Sequence, residues 1–437
     1  MIEEVLPTVT GVDPGPETPG FRRVPRTGVI YVMHRAAAAG HGSDGRTWYN
    51  LGQGSPEVDD LPGAPPRRNE LHIDPRRQTY APVDGIDELR DRVAELYNFL
   101  YRRNKRSQYS RENVSIAPGG RPAMTRIAAA MGEMNLGHFI PDYTAYEELL
   151  TAFKGFIPIP ILLDAAHGYR ASRRLLEKEI VGRGLSALWC SNPCNPTGQL
   201  VEGDLLAEWV GVARDNACTF ILDEFYSHYI YTPAPPQNSE QVADTARMVS
   251  AAAHVDDVNR DPVILVDGLT KNWRYPGWRV SWIVGPVSVI DRVTSAGSFL
   301  DGGGNHPFQE AAVPLLEPEL VLQETQAIQT EFAGKRRFLV DRLRGLGIEV
   351  EHEPSGAFYV WGNLAGLPAP LNDGIEFFKA LLQVQVITVP GVFFDVNPGQ
   401  RRRNARYHSY CRLSFGPSME TLERGMERIE KLIRAHS

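Results

Sequence analysis

Val263-Ile-Leu-Val-Asp-Gly-Leu-Thr-Lys271-Asn-Trp-Arg-Tyr-Pro-Gly-Trp-Arg279-Val-Ser-Trp-Ile-Val284 is the stretch from which the rest of the chain can be read. An apolar, β-branched run leads into Lys271 and a second follows Arg279; both read as buried strands, with the polar residues between them as a loop at their ends. A lysine in that position can be desolvated and kept partly neutral, as an amine that forms Schiff bases must be. Eight residues on, Arg279 offers a permanent charge and a fork of donors suited to a phosphate. A surface lysine and a structural arginine in a strand connection fit the same letters, so the other motifs have to decide.

The chain has 437 residues, enough for two or three ordinary domains, with 42% hydrophobic and 23% charged residues, as in a typical globular protein. Its net charge of −7 gives no basic field to draw it to nucleic acid or to an anionic membrane. No run of about 18 apolar residues is present, and the start, Met1-Ile-Glu-Glu-Val-Leu-Pro7, has no basic and apolar halves of a secretory signal. Cys190, Cys194, Cys218 and Cys411 lack the paired spacing or histidines of a zinc site. They read as reduced thiols of a cytoplasmic protein.

Outward from the lysine, the order of elements suggests a layered fold. Residues 1–26, rich in Pro, Gly and Thr, read as an extended arm, followed by a short helix through Ala36 to Ala39. Trp48-Tyr-Asn-Leu-Gly-Gln-Gly54 reads as a short strand breaking into a glycine turn. The helical spacing of Ile86, Leu89, Val93, Leu96 and Leu100 starts a helix after Gly85. Val114-Ser-Ile-Ala-Pro-Gly119-Gly120-Arg121-Pro122 is a strand, a glycine turn and a helix start, whose free N–H groups would hold an anion. Phe139-Ile-Pro-Asp-Tyr143 is another strand-to-helix corner. Ala187-Leu-Trp-Cys190 runs into Ser191-Asn192-Pro-Cys-Asn195-Pro-Thr-Gly198, a rigid loop that can aim an amide. Thr219-Phe-Ile-Leu-Asp223 ends a buried run on a carboxylate that needs a cation or strong donor beside it. Residues 233–261 read as an insertion with a helix from Glu240 to Ala253. Ser298 to Pro307 reads as a glycine loop in which His306 either acts on substrate or is satisfied locally. Residues 308–345 read as mainly helical, Ile348–Val350, Ala357–Trp361 and the run from Cys411 as strands, and Met419–Ile433 as a closing helix. Arg401, Arg402, Arg403 and Arg406 lie in a loop that is either solvated or at the edge of an anion pocket. The alternation over residues 114–290 gives an α/β layer with a mainly parallel sheet.

Taken in order, Asn192-Pro-x-Asn195-Pro-Thr-Gly198, Asp223-x-x-Tyr226, Lys271 with Pro276-Gly-x-Arg279, and Arg412-Leu-Ser-Phe resemble the class I/II, aspartate aminotransferase-like family of pyridoxal phosphate (PLP) enzymes. The separations also resemble the family's: 28 residues from Asn195 to Asp223, 48 to Lys271, 8 to Arg279 and 133 to Arg412. The resemblance runs from about Val29 to the C-terminus. It implies fold type I: a mostly parallel central sheet with helices on both faces, and a smaller α+β domain. On that basis residues 80–320 form the large PLP-binding domain, residues 321–437 the small domain, and residues 27–79 contribute to the latter.

The same resemblance implies roles. Lys271 forms the Schiff base with PLP and moves the proton. Asp223 pairs with the pyridine nitrogen, while Asn195 and Tyr226 bind the ring oxygen. Arg279 and the amides of Gly119, Gly120 and Arg121 hold the phosphate. Tyr143 stacks on the ring, and Tyr80 reaches the phosphate of a neighbouring subunit, making a homodimer. Arg412 binds the substrate carboxylate, with Gly54 and Asn195 beside the substrate. The implied reaction is ping-pong transfer of an amino group from an L-amino acid to a 2-oxo acid, with no metal. Two departures stand out: Gly268 occupies the place where the family often has a phosphate-binding serine, with Thr270 as a possible substitute, and Arg121 replaces a smaller polar residue. No arginine matches the one that reads a dicarboxylate side chain. Elimination, cyclisation or oxidation of an amino acid would use the same anchors. A PLP-sensing regulator would need a basic DNA-binding domain, for which the N-terminal arm is too short.

Overall fold

A computed structural model describes residues 19–21, 28–153, 155–232 and 246–436. Most of the expected N-terminal arm and residues 233–245 of the expected insertion lie outside the described residues. The first helix and strand are α1 (Gly28–Ala38) and β1 (Tyr49–Asn50), then α2 (Asp87–Tyr101), β2 (Val114–Ala117), α3 (Gly120–Ala130), β3 (Met134–Ile140), α4 (Ala145–Ala152) and β4 (Phe156–Leu162). There follow α5 (Arg173–Arg183), β5 (Ala187–Ser191), α6 (Gly203–Asp215), β6 (Thr219–Asp223), β7 (Val263–Gly268), β8 (Ser281–Val284), α7 (Val287–Leu300) and α8 (His306–Ala312). The chain closes with α9 (Pro318–Gly345), β9 (Tyr359–Asn363), α10 (Gly374–Gln383), β10 (Val386–Ile387), β11 (Val389–Pro390), β12 (Tyr410–Ser414) and α11 (Met419–His436).

The main sheet has seven strands in the order β2-β8-β7-β6-β5-β3-β4. Only β8 runs against the rest: it is antiparallel to β7 and β2, while the other pairs are parallel. The apolar runs explain this layer. In β7, Val263 and Leu265 enter one buried cluster and Ile264 and Val266 the other, so alternate side chains feed the two faces of the sheet. Each face is covered by helices. With six strands pointing one way, their C-terminal ends share an edge where ligands of open α/β sheets bind.

A second, antiparallel sheet has the order β11-β12-β9, and β1 pairs with β10 in parallel, Tyr49 opposite Val386. Between the two bodies of sheet runs α9, whose 28 residues span about 42 Å. Its buried Lys335 reaches back to Glu57, next to the glycine turn at Gly54.

Several sequence expectations need correction. Instead of a helix from Glu240 to Ala253, the described part shows only a single 3-10 turn at Ala251–Ala253. Ser250 caps that turn, and Glu224 accepts from the Ala251 amide, so buried side chains take the donors a longer helix would use. Ile348–Val350 is not a strand, because the Ile348 amide closes the end of α9 on Leu343 and only Glu349 pairs with Asn363. The next strand starts at Tyr359 and not at Ala357, which is held at φ +55°. His306 belongs to a helix rather than a glycine loop, since the Asn305 side chain caps α8 through the Phe308 amide.

Candidate active site

The shared edge of the main sheet collects the signature residues around a cleft of about 490 Å³. Asp223 ends β6 in register with Ser191 at the end of β5 and Val266 in β7. Lys271 lies three residues past the end of β7, and Arg279 lies just before β8. From the other end of the sheet, α3 begins at Gly120 directly after β2, with its first-turn amides facing the same cleft. Arg412 comes from β12 of the second sheet, so the cleft lies between the two sheets.

The conformation of the phosphate-type cradle is demanding. Gly119 sits at φ +109°, and a Cβ on it would come 2.1 Å from the Arg279 guanidinium. A Cβ on Gly120 would come 2.6 Å from the Phe225 ring. Arg279, itself at φ +56°, is exposed and donates to the Pro276 carbonyl at 3.1 Å. Thr270 Oγ1 lines the cleft, is buried, and has no hydrogen-bond partner in the described protein. The Gly119 amide, expected to face the anion, donates instead to the Ala117 carbonyl at 2.8 Å, which leaves the Gly120 and Arg121 amides, a guanidinium and an orphan hydroxyl as a donor set fitted to a dianionic group.

Opposite, Asp223 is buried and accepts from the Tyr146 hydroxyl at 2.9 Å and the Phe225 amide at 3.3 Å. Burial pushes its carboxyl up to about 6 against those two bonds and the pull of Lys271. A buried acid with only two neutral donors leaves room for a cationic partner. Lys271 Nζ contacts the Gly54 carbonyl. Burial first, then the positive charges of Arg412, Arg279 and Arg121, bring its amine down to about 7, with Asp223 opposing. The amine is thus held close to its neutral, nucleophilic form.

The remaining expected residues fall as follows. Asn195 Oδ1 accepts from Arg412 Nη1 at 2.8 Å, and the Asn195 backbone N–H donates to Ser191 Oγ, which in turn donates to Asp142. Arg412 Nη2 donates to the Gly52 carbonyl at 2.6 Å, while its buried Nε has no partner among the described residues. Tyr226 and Tyr143 line the cleft, and the Tyr143 hydroxyl accepts from Arg121 at 3.3 Å. Tyr80 does not line it; its side chain is 96% exposed. His306 does not line it either, and its Nδ1 lies 3.1 Å from the Thr79 carbonyl, the local role. The Arg401–Arg406 loop is the solvated alternative: Arg402 pairs with Asp395 at 2.6 Å, and none of its arginines reaches the cleft.

Sequence reading missed Tyr146 and Tyr359. Tyr146 lies on α4 three residues after Tyr143, one helical turn on, which was an available signal. Tyr359 had none, since an aromatic in an apolar strand reads as core. Among the described residues there is no cluster of metal-ligating side chains, and no helix is long and apolar enough to cross a membrane. All four cysteines are buried and free.

A doubly covered α/β sheet whose strand ends aim a lysine, an acid and an anion cradle into one cleft defines a PLP-dependent transferase of fold type I. The chain belongs to the class I and II aminotransferases, whose family model matches residues 46–429. It is similar to the aspartate aminotransferase of Pyrococcus horikoshii, 26% identical over 388 residues, 88% of this chain and 90% of that one. It is equally similar to that of Rhizobium meliloti, 26% identical over 432 residues, 94% and 96% of the two chains. In fold it matches the Thermus thermophilus aspartate aminotransferase with maleate at a TM-score of 0.75 and 22% identity, covering 94% and 100% of the two chains. The protein is therefore an aminotransferase that uses PLP and acts on an amino acid and a 2-oxo acid.

Proposed function

We propose that Lys271 Nζ removes and returns the proton at the substrate Cα, and that Asp223, Arg279 and Arg412 hold the reacting groups about it. The observation that carries this is the pairing, in one cleft, of an amine lowered to about 7 with a buried carboxylate that is in contact with no cation among the described residues. PLP, when bound, supplies the electron sink for the carbanion left at Cα. Asp223 keeps a protonated ring nitrogen in place, and Tyr226 with Asn195 meets the ring oxygen. The Gly120 and Arg121 amides, Arg279 and Thr270 take the phosphate. Arg412, with three of its five N–H groups uncommitted, takes the substrate α-carboxylate, and Gly54 leaves room beside it.

The charge balance bears on substrate choice. Arg121, Arg279, Arg412 and Lys271 line the cleft against the single carboxylate of Asp223. After phosphate and α-carboxylate are bound, Arg121 still has no acidic partner among the described residues, which favours a neutral or anionic side chain over a cationic one. The names of the relatives, aspartate aminotransferases, agree with that direction. We also take the chain to work as a cytoplasmic homodimer, with Tyr80 exposed for a neighbouring subunit's phosphate and with a division near residue 320 between the large and small domains.

A panel of amino acids added to the PLP-loaded protein tests this reading. Loss of the yellow absorbance with formation of the pyridoxamine form and an oxo acid supports transamination. Ammonia release without that form would move the reaction to elimination. Light scattering on the purified protein tests the dimer.

A further inference from the structure

Tyr226 and Tyr359 place their hydroxyl oxygens 2.7 Å apart, and both side chains are buried. Each phenol has one proton, so in this contact one hydroxyl donates and the other accepts. The surroundings choose the direction. The Arg412 guanidinium stands over the face of Tyr359, 4.2 Å from its ring centre, and stabilises charge on that phenol. Burial raises both groups, and Arg412 is the main influence opposing it at Tyr359 but a minor one at Tyr226, which it does not stand over. The more acidic hydroxyl is the better donor, so Tyr359 donates and Tyr226 accepts.

We infer that Tyr359 is a positioning residue for the aminotransferase reaction: its hydroxyl donates to Tyr226 and thereby leaves the single proton of Tyr226 free for the ring oxygen of the cofactor. The inference rests on the proposed role of Tyr226. The two hydroxyls come from different bodies of sheet: Tyr226 follows β6, while Tyr359 opens β9, paired with Ser414 of the strand that carries Arg412. Tyr359 also packs against the turn that touches Lys271, since a Cβ on Gly54 would come 2.9 Å from its hydroxyl. One phenol thus keys the ring-oxygen donor to the carboxylate-binding strand and to the lysine's contact. Without it, Tyr226 is free to rotate its proton toward other acceptors and is a weaker donor when it does point at the ring.

The test is a pH titration of the absorbance of PLP-loaded Tyr359→Phe, which keeps the ring and its contact with Arg412. A weaker donor leaves more charge on the ring oxygen, so the lysine-linked nitrogen keeps its proton to higher pH. The expected result is an upward move of the midpoint by roughly 0.5 to 1, the size that one neutral hydrogen bond gives. In the double variant Tyr226→Phe/Tyr359→Phe, the midpoint should equal that of Tyr226→Phe alone. An unchanged midpoint in Tyr359→Phe, or additive moves in the double variant, would overturn the inference. So would a cofactor-free Tyr359→Phe protein that melts far below the parent, since the hydroxyl would then be structural. A parent protein that never turns yellow with PLP would instead sink the proposed function.

Discussion

Gly268 and Ser281 face each other across β7 and β8, and a Cβ on Gly268 would lie 2.5 Å from the Ser281 Cα and 2.4 Å from its hydroxyl. The place where the family often carries a phosphate-binding serine therefore has no room for a side chain. The obstacle includes backbone in a paired strand, which cannot swing aside. Gly268→Ser should lower the thermal stability of the cofactor-free protein, by roughly 1–3 kcal/mol as overpacking does, and should not tighten PLP binding. A stable variant with tighter binding would show that β8 yields.

Thr270 is then the hydroxyl proposed to meet the phosphate: its Oγ1 is buried at the cleft wall with no partner among the described residues. Thr270→Val keeps its volume and removes the donor. A charge-assisted hydrogen bond is worth roughly 1.5–3 kcal/mol, so PLP affinity should fall by about tenfold or more, read by equilibrium dialysis. Equal affinity in the two proteins would leave the phosphate to Arg279 and the α3 amides alone.

Asp223→Asn removes the acid proposed to answer the ring nitrogen. The rate of each half-reaction should drop by at least about tenfold, or about 1.4 kcal/mol, in stopped-flow traces with a good amino-acid substrate. The cofactor-free variant gives a second check. The folded protein holds the Asp223 proton up to about 6, above its ordinary value of 3.8. Stability from this group is thus present at low pH and lost as pH rises through that window. In Asp223→Asn this part of the decline should vanish from denaturation curves between about pH 4 and 6.

Lys271 carries the opposite sign. Its amine is brought from 10.5 to about 7, so folding favours the neutral form, and stability from this group is gained as pH rises from about 7 towards 10.5. Capture of added PLP by the cofactor-free protein should accelerate with pH and level off above about 7, since only the neutral amine attacks. A capture rate that still climbs through pH 9 would mean the amine is solvated. Arg412→Gln removes one of the charges that lower it and should move the levelling-off point upward.

Much of this was legible in the chain before it folded. The apolar runs ending at Asp223 and before Lys271, the glycine turn at Gly119 and the proline-locked loop at Asn195 are local features. Strand periodicity and turn chemistry act over a few residues and read out directly. The order and spacing of those motifs pointed to the family and brought forward Lys271, Asp223, Arg279 and Arg412 as candidate anchors, which the fold gathers in one cleft. What local sequence could not hold was any choice made by a distant neighbour. The Ile348–Val350 run failed as a strand because the end of α9 captured its first amide, and the helix expected up to Ala253 gave way to caps from Ser250 and Glu224. Only packing decided that Gly268 must stay bare against Ser281, that Tyr146 meets Asp223 from 77 residues away, and that Tyr359 meets Tyr226 from 133. These contacts depend on sheet register and on how two sheets close over one cleft, which arise only when the whole chain has packed.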